Sequence, residues 1–472
     1  MTRVFIADPA LKDHRGHHYN LTRCISKTCE EFGLETVWLV NKAFSRTLED
    51  GERAVIHPCF SADTYDAHLR KRQAKAAGAA SDKHVETVSN SPSAIALRLY
   101  RRIPQRYREV LTPTAHRLLR KIRELRRPTA APSHAPSNPG SGNTKRNAVQ
   151  LRPEQEIYRA LKRFNCTTDD IVLFHTSDAH TYRDIYNFFS GLAHVSEWNG
   201  FPVFHLSTPY DETVMPHNRD YPDFMLSVRR LNNLGLVGSR VILHSENDLL
   251  TEHLEKLLRL KVTTLHIPPA SVQRRRSAET LDSCVNVAYL GAARTEKGFN
   301  QLPDMISEIL RDGAAAEVRF HIQATPQMLG YTDDVRDAID RLRAIDDERL
   351  TLVTAPLSQA EYQSILEWTD VLLVPYQLDR YRVRGSGIAV EGVIAGANLI
   401  STEGTFPAYL AGDAGVAVKP GAPLAPALLT IIADRRHYYE RACERREWYI
   451  RNHSSEQFVQ ELESPVCRSR TI

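Results

Sequence analysis

The sequence predicts an α/β protein with two separate parallel sheets. Short apolar runs typical of buried strands alternate with segments of helical periodicity from about residue 3 to 60 and again from residue 154 onward. The pair Pro268-Pro269 stops regular structure, and a second alternation begins at Val285. Strands that alternate with helices imply parallel sheets, so the two series predict two Rossmann-like domains that face a cleft.

The first series is predicted to form an amino-terminal domain over residues 1–268. The strand at Asp170 to His175 is predicted to end in a polar turn, and Ser245-Glu-Asn-Asp248 is predicted to cap a helix through about Leu258. The predicted strands are 4–6, 35–40, 170–175, 201–206, 241–244 and 263–267.

Two unusual segments interrupt this first series. Residues 97–127 carry about 11 Arg or Lys against two Glu, so this segment has a net charge of about +9 in a chain whose net charge is +4. Residues 128–147 are rich in Pro, Ser, Gly and Asn and are predicted to be a disordered linker, because they cannot bury enough apolar surface to offset their ordering entropy.

The basic segment 97–127 interleaves Arg with Leu, Ile, Tyr and Val. This pattern fits a helix lying on an anionic membrane surface, and it fits equally a solvated helix that precedes a linker. Nucleic acid is not an expected partner, since no recognised reading module accompanies the charge.

The composition bounds the class of protein. The chain of 472 residues is 42% hydrophobic and 25% charged, as in ordinary globular proteins of two to three domains. It has no run of about 18 apolar residues and no signal-peptide pattern at MTRVFIADP. Seven cysteines without a Cys-x-x-Cys pair indicate a reducing compartment. We therefore expect a cytoplasmic protein. Residues 97–127 are a candidate for peripheral contact with the inner face of the membrane.

The first predicted strand runs into the loop DHRGHHYN, which contains Gly16, His17 and His18. Loops after the carboxyl ends of parallel strands are where ligands bind, and a glycine lets the backbone approach a ligand closely. Gly16 is predicted to supply this turn, and His17 or His18 to contact an acceptor or a diphosphate. Each histidine taken singly is equally well explained as a solvated loop residue. Their irregular spacing predicts no metal site.

The second series is predicted to form a carboxyl-terminal domain over residues 269–430. Residues 431–472 are predicted to be helical without a strand and to pack back on the amino-terminal domain. The predicted strands are 285–290, 318–323, 350–354, 371–374 and 398–401, with helices at 301–311, 332–345, 358–368 and 386–395.

Two loops of the second series combine cations with glycines. In Tyr289-Leu-Gly-Ala-Ala-Arg-Thr-Glu-Lys-Gly298, Arg294 and Lys297 lie between a strand and a helix, a pattern that suits a diphosphate and also fits a solvated basic loop. In Tyr376-Gln-Leu-Asp-Arg-Tyr-Arg-Val-Arg-Gly-Ser-Gly387, Arg382 and Arg384 precede the predicted start of a helix at Ser386 and Gly387. Free amides at a helix start beside arginines form an anion cradle. Glu391, one turn into this helix, is a candidate to accept hydrogen bonds from ribose hydroxyls, or else an ordinary surface glutamate.

A succession of motifs in this half resembles a known family. GAARTEKG, PLSQAEY, DVLLVPY, YRVRGSGIAVEGVIAGANLIS and GDAGVAV resemble, in order and spacing, the donor domain of GT-B glycosyltransferases, specifically the retaining family 4 group (glycosyl transferases group 1). The amino-terminal half resembles the acceptor domain only in outline. The resemblance implies that Arg294 and Lys297 hold the donor diphosphate, that Ser386 and Gly387 bind phosphate through their amides, and that Glu391 contacts the ribose. It places Tyr376, Arg382 and Arg384 in the donor site as well.

The resemblance implies a retaining, metal-independent, hexosyltransferase-like enzyme. It would move a sugar from a nucleotide-sugar donor to a glycan, polysaccharide or lipid-linked acceptor, with the nucleotide-diphosphate sugar as substrate and no cofactor. Since a histidine of the first domain lies near the donor sugar in this family, His175 and His205 are the catalytic candidates, and each also fits a structural role.

The chain departs from the family pattern in two places. Ala292 stands where the family has an arginine, and Val383 stands where the family has the first of two glutamates, which touches the donor sugar. The alternative function is therefore a catalytically silent GT-B module that binds nucleotide or glycan as a scaffold. An epimerase on the same fold agrees less well with the two loops.

Overall fold

The computed structural model describes residues 2–13, 16–45, 53–61, 151–191, 200–212, 220–269, 284–311, 318–326 and 330–464. At positions 16, 17 and 220 only the backbone is described. The basic segment 97–127, the predicted linker 128–147 and the end of the chain from residue 465 lie outside the described residues.

The amino-terminal part contains a seven-stranded sheet in the order β3-β2-β1-β4-β5-β6-β7, with every neighbouring pair parallel. Five described helices connect or flank these strands: α1 (Gly16–Glu31), α2 (Pro153–Arg163), α3 (Ala179–Ser190), α4 (Asp220–Asn233) and α5 (Asp248–Leu258). The strands are β1 (Arg3–Asp8), β2 (Glu35–Asn41), β3 (Val55–Phe60), β4 (Ile171–Phe174), β5 (Val203–Thr208), β6 (Val241–Ser245) and β7 (Thr263–Thr264).

The second sheet has six strands in the order β10-β9-β8-β11-β12-β13, and all of its pairs are also parallel. Its strands are β8 (Val285–Tyr289), β9 (Val318–Gln323), β10 (Leu350–Val353), β11 (Val371–Val374), β12 (Asn398–Thr402) and β13 (Gly415–Val418). Its helices are α6 (Leu302–Arg311), α7 (Asp333–Arg343), α8 (Gln359–Trp368), α9 (Leu378–Tyr381), α10 (Gly387–Ala395), α11 (Phe406–Ala411) and α12 (Ala425–Ala433). The two parallel sheets confirm the predicted fold class.

Each sheet is covered by apolar side chains on both faces. In β1, Val4 and Ile6 belong to one buried cluster, whereas Phe5 and Ala7 belong to another. Successive residues of a strand point to opposite faces, so this division shows that the sheet separates two cores. Near-continuous hydrophobic strands are the expected result when helices cover both faces of a parallel sheet. The sites for ligands must therefore lie at the ends of the strands.

The described chain ends with α13 (Arg435–Asn452) and α14 (Ser455–Glu463). Along α14, Phe458 and Leu462 are fully buried in the same cluster as Val4 and Ile6 of β1. The final described helix therefore completes one face of the amino-terminal sheet. Among the helices in the described ranges, none is both long enough and apolar enough to cross a membrane.

An ionic contact fixes α14 to the amino-terminal part. The Nδ1 atom of His266 lies 2.6 Å from Oε1 of Glu461, and its Nε2 atom lies 3.7 Å from Oδ1 of Asp248. Burial disfavours the charged imidazole, but the two carboxylates outweigh burial and raise the pKa of His266 to about 9.

The raised pKa of His266 makes stability depend on pH. A group whose pKa is higher in the folded state contributes its full stabilisation below its unfolded pKa, near 6.5, and loses it as the pH rises through about 9. We expect the difference in free energy of unfolding between wild type and His266→Gln to fall by about 1 to 2 kcal/mol between pH 6 and 9.5, after discounting for solvent screening. Urea unfolding at several pH values measures this difference.

His437→Gln is the matched control, because His437 is exposed on α13. Its difference from wild type is expected to stay constant over the same pH range. A His266→Gln difference that is flat from pH 6 to 9.5 would show that the His266–Glu461 contact carries no charge-dependent stability.

Candidate active site

The two glycine-containing loops of the second sheet are in direct contact. Gly298 has φ of +70°, and a Cβ atom at this position would lie 2.2 Å from the carbonyl oxygen of Pro375. The amide of Gln377 donates a hydrogen bond of 2.9 Å to the carbonyl of Glu296. Only glycine fits both the left-handed backbone and the close approach at residue 298. These contacts join the loop that follows β8 to the loop that follows β11.

Three cations gather where these loops meet. The Nζ atom of Lys297 lies 5.4 Å from the centre of the Tyr376 ring, which is itself buried. Partial burial of Lys297, together with repulsion from Arg294 and Arg384, lowers the pKa of its ammonium group to about 8. The Nε atom of Arg294 is buried without a hydrogen-bond partner among the described residues. Such a cluster attracts an anion, because an anion would relieve this repulsion and restore the charged state of Lys297.

The start of α10 faces the same region. Ser386 is the N-cap of the helix, and its Oγ atom accepts a hydrogen bond of 3.3 Å from the amide of Ala389. The Ser386 hydroxyl also lies 3.4 Å from the hydroxyl of Tyr376. The amides of a helix's first turn have no partner within the helix and carry partial positive charge. They therefore add donors for an anion beside the three cations.

Glu391 lies one turn into α10 and accepts a hydrogen bond from the hydroxyl of Tyr362 on α8. Burial raises the pKa of the Glu391 carboxyl, while the bond from Tyr362 and the nearby charge of Lys297 oppose this rise. A carboxylate that is half-buried next to an anion site is suited to accept hydrogen bonds from uncharged hydroxyl groups of the same ligand.

The carboxyl edge of the first sheet meets the loop that precedes α10. Glu246, directly after β6, accepts a hydrogen bond of 3.0 Å from the amide of Gly385. The neighbouring Asn247 donates from Nδ2 to the carbonyl of Val383 over 3.1 Å. The amino-terminal part thus contacts the predicted phosphate loop directly.

A second polar cluster lies at the carboxyl ends of β1 and β4. The Oδ2 atom of Asp8 is 2.9 Å from Nδ1 of His18 and 3.2 Å from Nε2 of His175. The hydroxyl of Thr22 is 2.9 Å from the same Nε2 atom. Although burial favours the neutral acid, the two histidines hold the pKa of Asp8 well below its usual range. Asp8 and His175 are buried, whereas His18 is half-buried and is the member of the cluster that reaches the surface.

The same three side chains are able to hold a metal ion. Their ligand atoms all lie within 4.8 Å of one another, and two histidines with one carboxylate form a donor set that zinc and other divalent metals accept. The hydrogen bonds around Asp8 satisfy these groups equally well without a metal. The sequence prediction of no metal site did not consider this cluster, because Asp8 precedes the histidine-rich loop and His175 is distant in the chain.

The fold can be compared with solved structures. TarM matches with a TM-score of 0.58 at 10% identity over 99% of both chains, and sucrose-phosphate synthase from Thermosynechococcus elongatus matches with a TM-score of 0.57 at 13% identity over 98% of both chains. The structure of trehalose-6-phosphate from E. coli bound with UDP-2-fluoro glucose matches at 0.54 and 14% identity, over 98% of this chain and 99% of that chain. This chain has the GT-B fold. By sequence, no family model and no curated protein matches the chain.

The GT-B architecture brings most of the predicted donor residues together. Lys297 contacts the Tyr376 ring, and the Tyr376 hydroxyl lies close to that of Ser386. The charges of Arg294, Arg384 and Glu391 all act on Lys297. Arg382, in the segment that precedes α10, and Gly387, the first residue of α10, are both exposed. The assignment of these residues to a donor remains a prediction, since the matched structures share less than 15% identity and show the fold alone.

The two catalytic candidates occupy different environments within the GT-B fold. His175 directly follows β4 and belongs to the Asp8 cluster. His205 lies in the middle of β5, is completely buried, and has its Nδ1 atom 2.8 Å from Nε2 of His244. Burial lowers the pKa of His205 well below its ordinary value, and repulsion from His244 lowers it further. We therefore assign His205 to the core.

The amino-terminal glycine loop is described in part. Gly16 begins α1, and His18 in its first turn contacts Asp8. The side chain of His17 lies outside the described residues. Of the two candidates for ligand contact, His17 and His18, the structure therefore defines side-chain contacts only for His18.

Sequence reasoning missed three groups that contribute to these contacts. Asp8 lies beyond the predicted strand 4–6, Tyr362 lies within a predicted helix, and Glu246 lies within a predicted helix cap; the sequence analysis gave none of them a role in a site. A signal for Asp8 and Glu246 was available, because each is an acidic residue at the carboxyl end of a predicted parallel strand. No sequence signal distinguishes Tyr362 from other helical tyrosines.

Proposed function

We propose that this protein is a glycosyltransferase that uses a nucleotide-diphosphate sugar as donor. One observation carries the proposal: Arg294, Lys297 and Arg384 converge beside the N-terminus of α10, where two loops at the carboxyl edge of the second sheet meet. Departure of a nucleoside diphosphate leaves negative charge on its phosphates, and preorganised cations with helix amides stabilise that charge. The GT-B fold supports the proposal, since the matched structures include synthases and a complex with UDP-2-fluoro glucose.

Glu391 is proposed to accept hydrogen bonds from the ribose. Burial and repulsion from Arg294 and Arg384 lower the pKa of Lys297, so a bound phosphate would stabilise the charged form of its ammonium group. Retention of configuration and independence from metal follow from the resemblance to the retaining family 4 group. A glycan, polysaccharide or lipid-linked acceptor is proposed on the same ground, with residues 97–127 as the contact with an anionic membrane.

The Asp8 cluster lies at the carboxyl edge of the first sheet and is proposed to face the transferred sugar or the acceptor. Through Asp8, the buried His175 is linked to the half-buried His18. An imidazole held by a carboxylate keeps a fixed orientation and tautomer. His18 is therefore the group we expect to hydrogen-bond a ligand, with His175 and Asp8 behind it.

A thermal-shift panel tests the proposal. UDP, GDP and ADP, each with and without a sugar, are added to the full chain, and the ligand that fits is expected to raise the melting temperature. A ligand at about 100 times its dissociation constant stabilises the folded state by roughly 2.7 kcal/mol. If none of the nucleotides raises the melting temperature, the proposal is wrong.

A catalytically silent nucleotide-binding scaffold is the second candidate function, and Val383 favours it. Its side chain packs against the core of the amino-terminal part and brings no carboxylate to the site. The nucleotide sugar found in the panel distinguishes the two functions: a transferase releases free nucleoside diphosphate from it, whereas a scaffold does not. Binding without release, across glycan and lipid-linked acceptors, would favour the scaffold.

A further inference from the structure

Glu246 is a carboxylate that the first sheet contributes to the predicted donor loop of the second. It directly follows β6, and its Oε1 atom accepts the hydrogen bond of 3.0 Å from the Gly385 amide. A Cβ atom at Gly385 would lie 2.1 Å from the same oxygen. The carboxylate therefore fits against the backbone of residue 385 only because that residue is glycine.

The position of Glu246 is fixed from both sides. Asn247 caps α5 and donates to the carbonyl of Val383, whose side chain packs against the core of the amino-terminal part. In return, Leu249 packs against the buried cluster of the second sheet that contains Tyr376. This reciprocal packing holds the Glu246 carboxylate at the loop, and a rigidly held group is suited to recognition.

The charge of Glu246 is poorly compensated. Burial raises the pKa of its carboxyl to about 7, although the nearby Arg384 and the Gly385 amide favour the ionised form. Within the described part of the chain, no cation forms an ion pair with it at 4.0 Å or less, and its hydrogen bond comes from one backbone amide. A carboxylate accepts about four hydrogen bonds, so it retains unused capacity.

The surroundings of Glu246 define what it accepts. A phosphate is drawn to Arg294, Lys297 and Arg384 and is repelled by a carboxylate. Uncharged hydroxyl groups, in contrast, donate hydrogen bonds to a carboxylate. The charge of Arg384 acts on Glu246, and the charge of Lys297 acts on Glu391. The two carboxylates thus interact with different cations of the cluster, which suits a ligand with hydroxyl-bearing groups on both sides of its phosphates.

We propose that Glu246 binds hydroxyl groups of the donor's sugar and determines which sugar is accepted. This inference rests on the proposed function and deepens it. The amino-terminal part thereby supplies a carboxylate to a loop that lacks one at Val383. The Gly385 amide, already paired with Glu246, fixes the carboxylate at this loop.

The test compares the affinity for a nucleotide sugar with the affinity for its nucleoside diphosphate by calorimetry. The probe is the nucleotide sugar that stabilises the wild type in the thermal-shift panel. For Glu246→Gln and Glu246→Ala, we expect affinity for the nucleotide sugar to fall about tenfold. Affinity for the nucleoside diphosphate is expected to stay unchanged or to increase, because a negative charge near the phosphates has been removed. Gln keeps an acceptor for the Gly385 amide, so this variant is the one expected to fold as the wild type does.

Two controls separate recognition from structure. Asn247→Ala breaks the bond to Val383 and is expected to lower the melting temperature without changing the ratio of the two affinities. Glu252→Gln changes an exposed carboxylate on α5 and is expected to change neither quantity. An unchanged ratio in both Glu246 variants, with normal binding of the nucleoside diphosphate, would overturn this inference alone. Absence of any nucleotide binding by the wild type would instead overturn the proposed function.

Discussion

Replacing Lys297 with alanine is expected to weaken the binding of the nucleoside diphosphate about 30- to 100-fold. The ammonium group lies over the Tyr376 ring, half-buried between the loops that follow β8 and β11. A hydrogen bond that involves a charged group in such a place contributes about 2 to 3 kcal/mol. Isothermal titration calorimetry of wild type and Lys297→Ala with the nucleotide found in the panel measures this loss.

The folded state of Lys297→Ala is expected to be at least as stable as the wild type. Repulsion from Arg294 and Arg384, together with burial, lowers the pKa of Lys297, so its removal relieves an unfavourable charge in the absence of ligand. Lys256→Ala is the matched control, because Lys256 is an exposed lysine on α5. Equal affinities of Lys297→Ala and wild type, at equal melting temperatures, would show that the anion binds elsewhere.

Five of the six strands of the second sheet, and the longer helices between them, were predictable from local pattern alone, whereas β13 was not predicted. Buried parallel strands are short apolar runs, and the segments that follow β8 and β11 contain glycines at residues 291, 298, 385 and 387. Gly298 illustrates why this works. Its positive φ and its contact with Pro375 impose glycine, so the sequence records a requirement of the fold at that position.

Contacts between distant segments were not predictable in the same way. The bond from Gly385 to Glu246 depends on how the carboxyl edges of the two sheets meet, and no periodicity within either segment encodes that meeting. The Asp8 cluster depends on β1 pairing with β4, which follow each other in the sheet but not in the chain. Residue type at a strand end indicates that a side chain is a candidate, whereas its partners come from tertiary structure.

His175 and His205 show this limit clearly. Both occur in or just after apolar runs that read as buried strands, so the sequence offered them as equal candidates. In the structure, one follows the strand and meets Asp8, and the other lies within the strand and meets His244. A histidine lies at the end of a strand or in its interior depending on where the strand ends. The sequence pattern predicts that end only to within a few residues.

Asp8→Asn is expected to reduce the rate of donor cleavage about 100-fold, the lower end of what a general acid–base group contributes. Asparagine has nearly the same size as aspartate, but its neutral amide cannot stabilise positive charge on His18 or His175. Binding of the nucleoside diphosphate is expected to change less than about threefold, since the proposed phosphate site lies at the second sheet. Release of nucleoside diphosphate from the nucleotide sugar, followed in time, measures the rate.

A readout beyond rate is needed, because loss of a buried carboxylate also affects packing. The pH–rate profile of Asp8→Asn is expected to move to lower pH on the limb that reports protonated histidine, since the neighbouring negative charge that favours an imidazolium is gone. Asp13→Asn, at an exposed aspartate in the segment that follows β1, is expected to leave both rate and profile unchanged. A rate for Asp8→Asn within twofold of the wild type would mean that the cluster only stabilises the fold. A lower rate with an unmoved profile would assign Asp8 to packing alone. A moved profile would place His18 or His175 among the groups whose protonation controls the reaction.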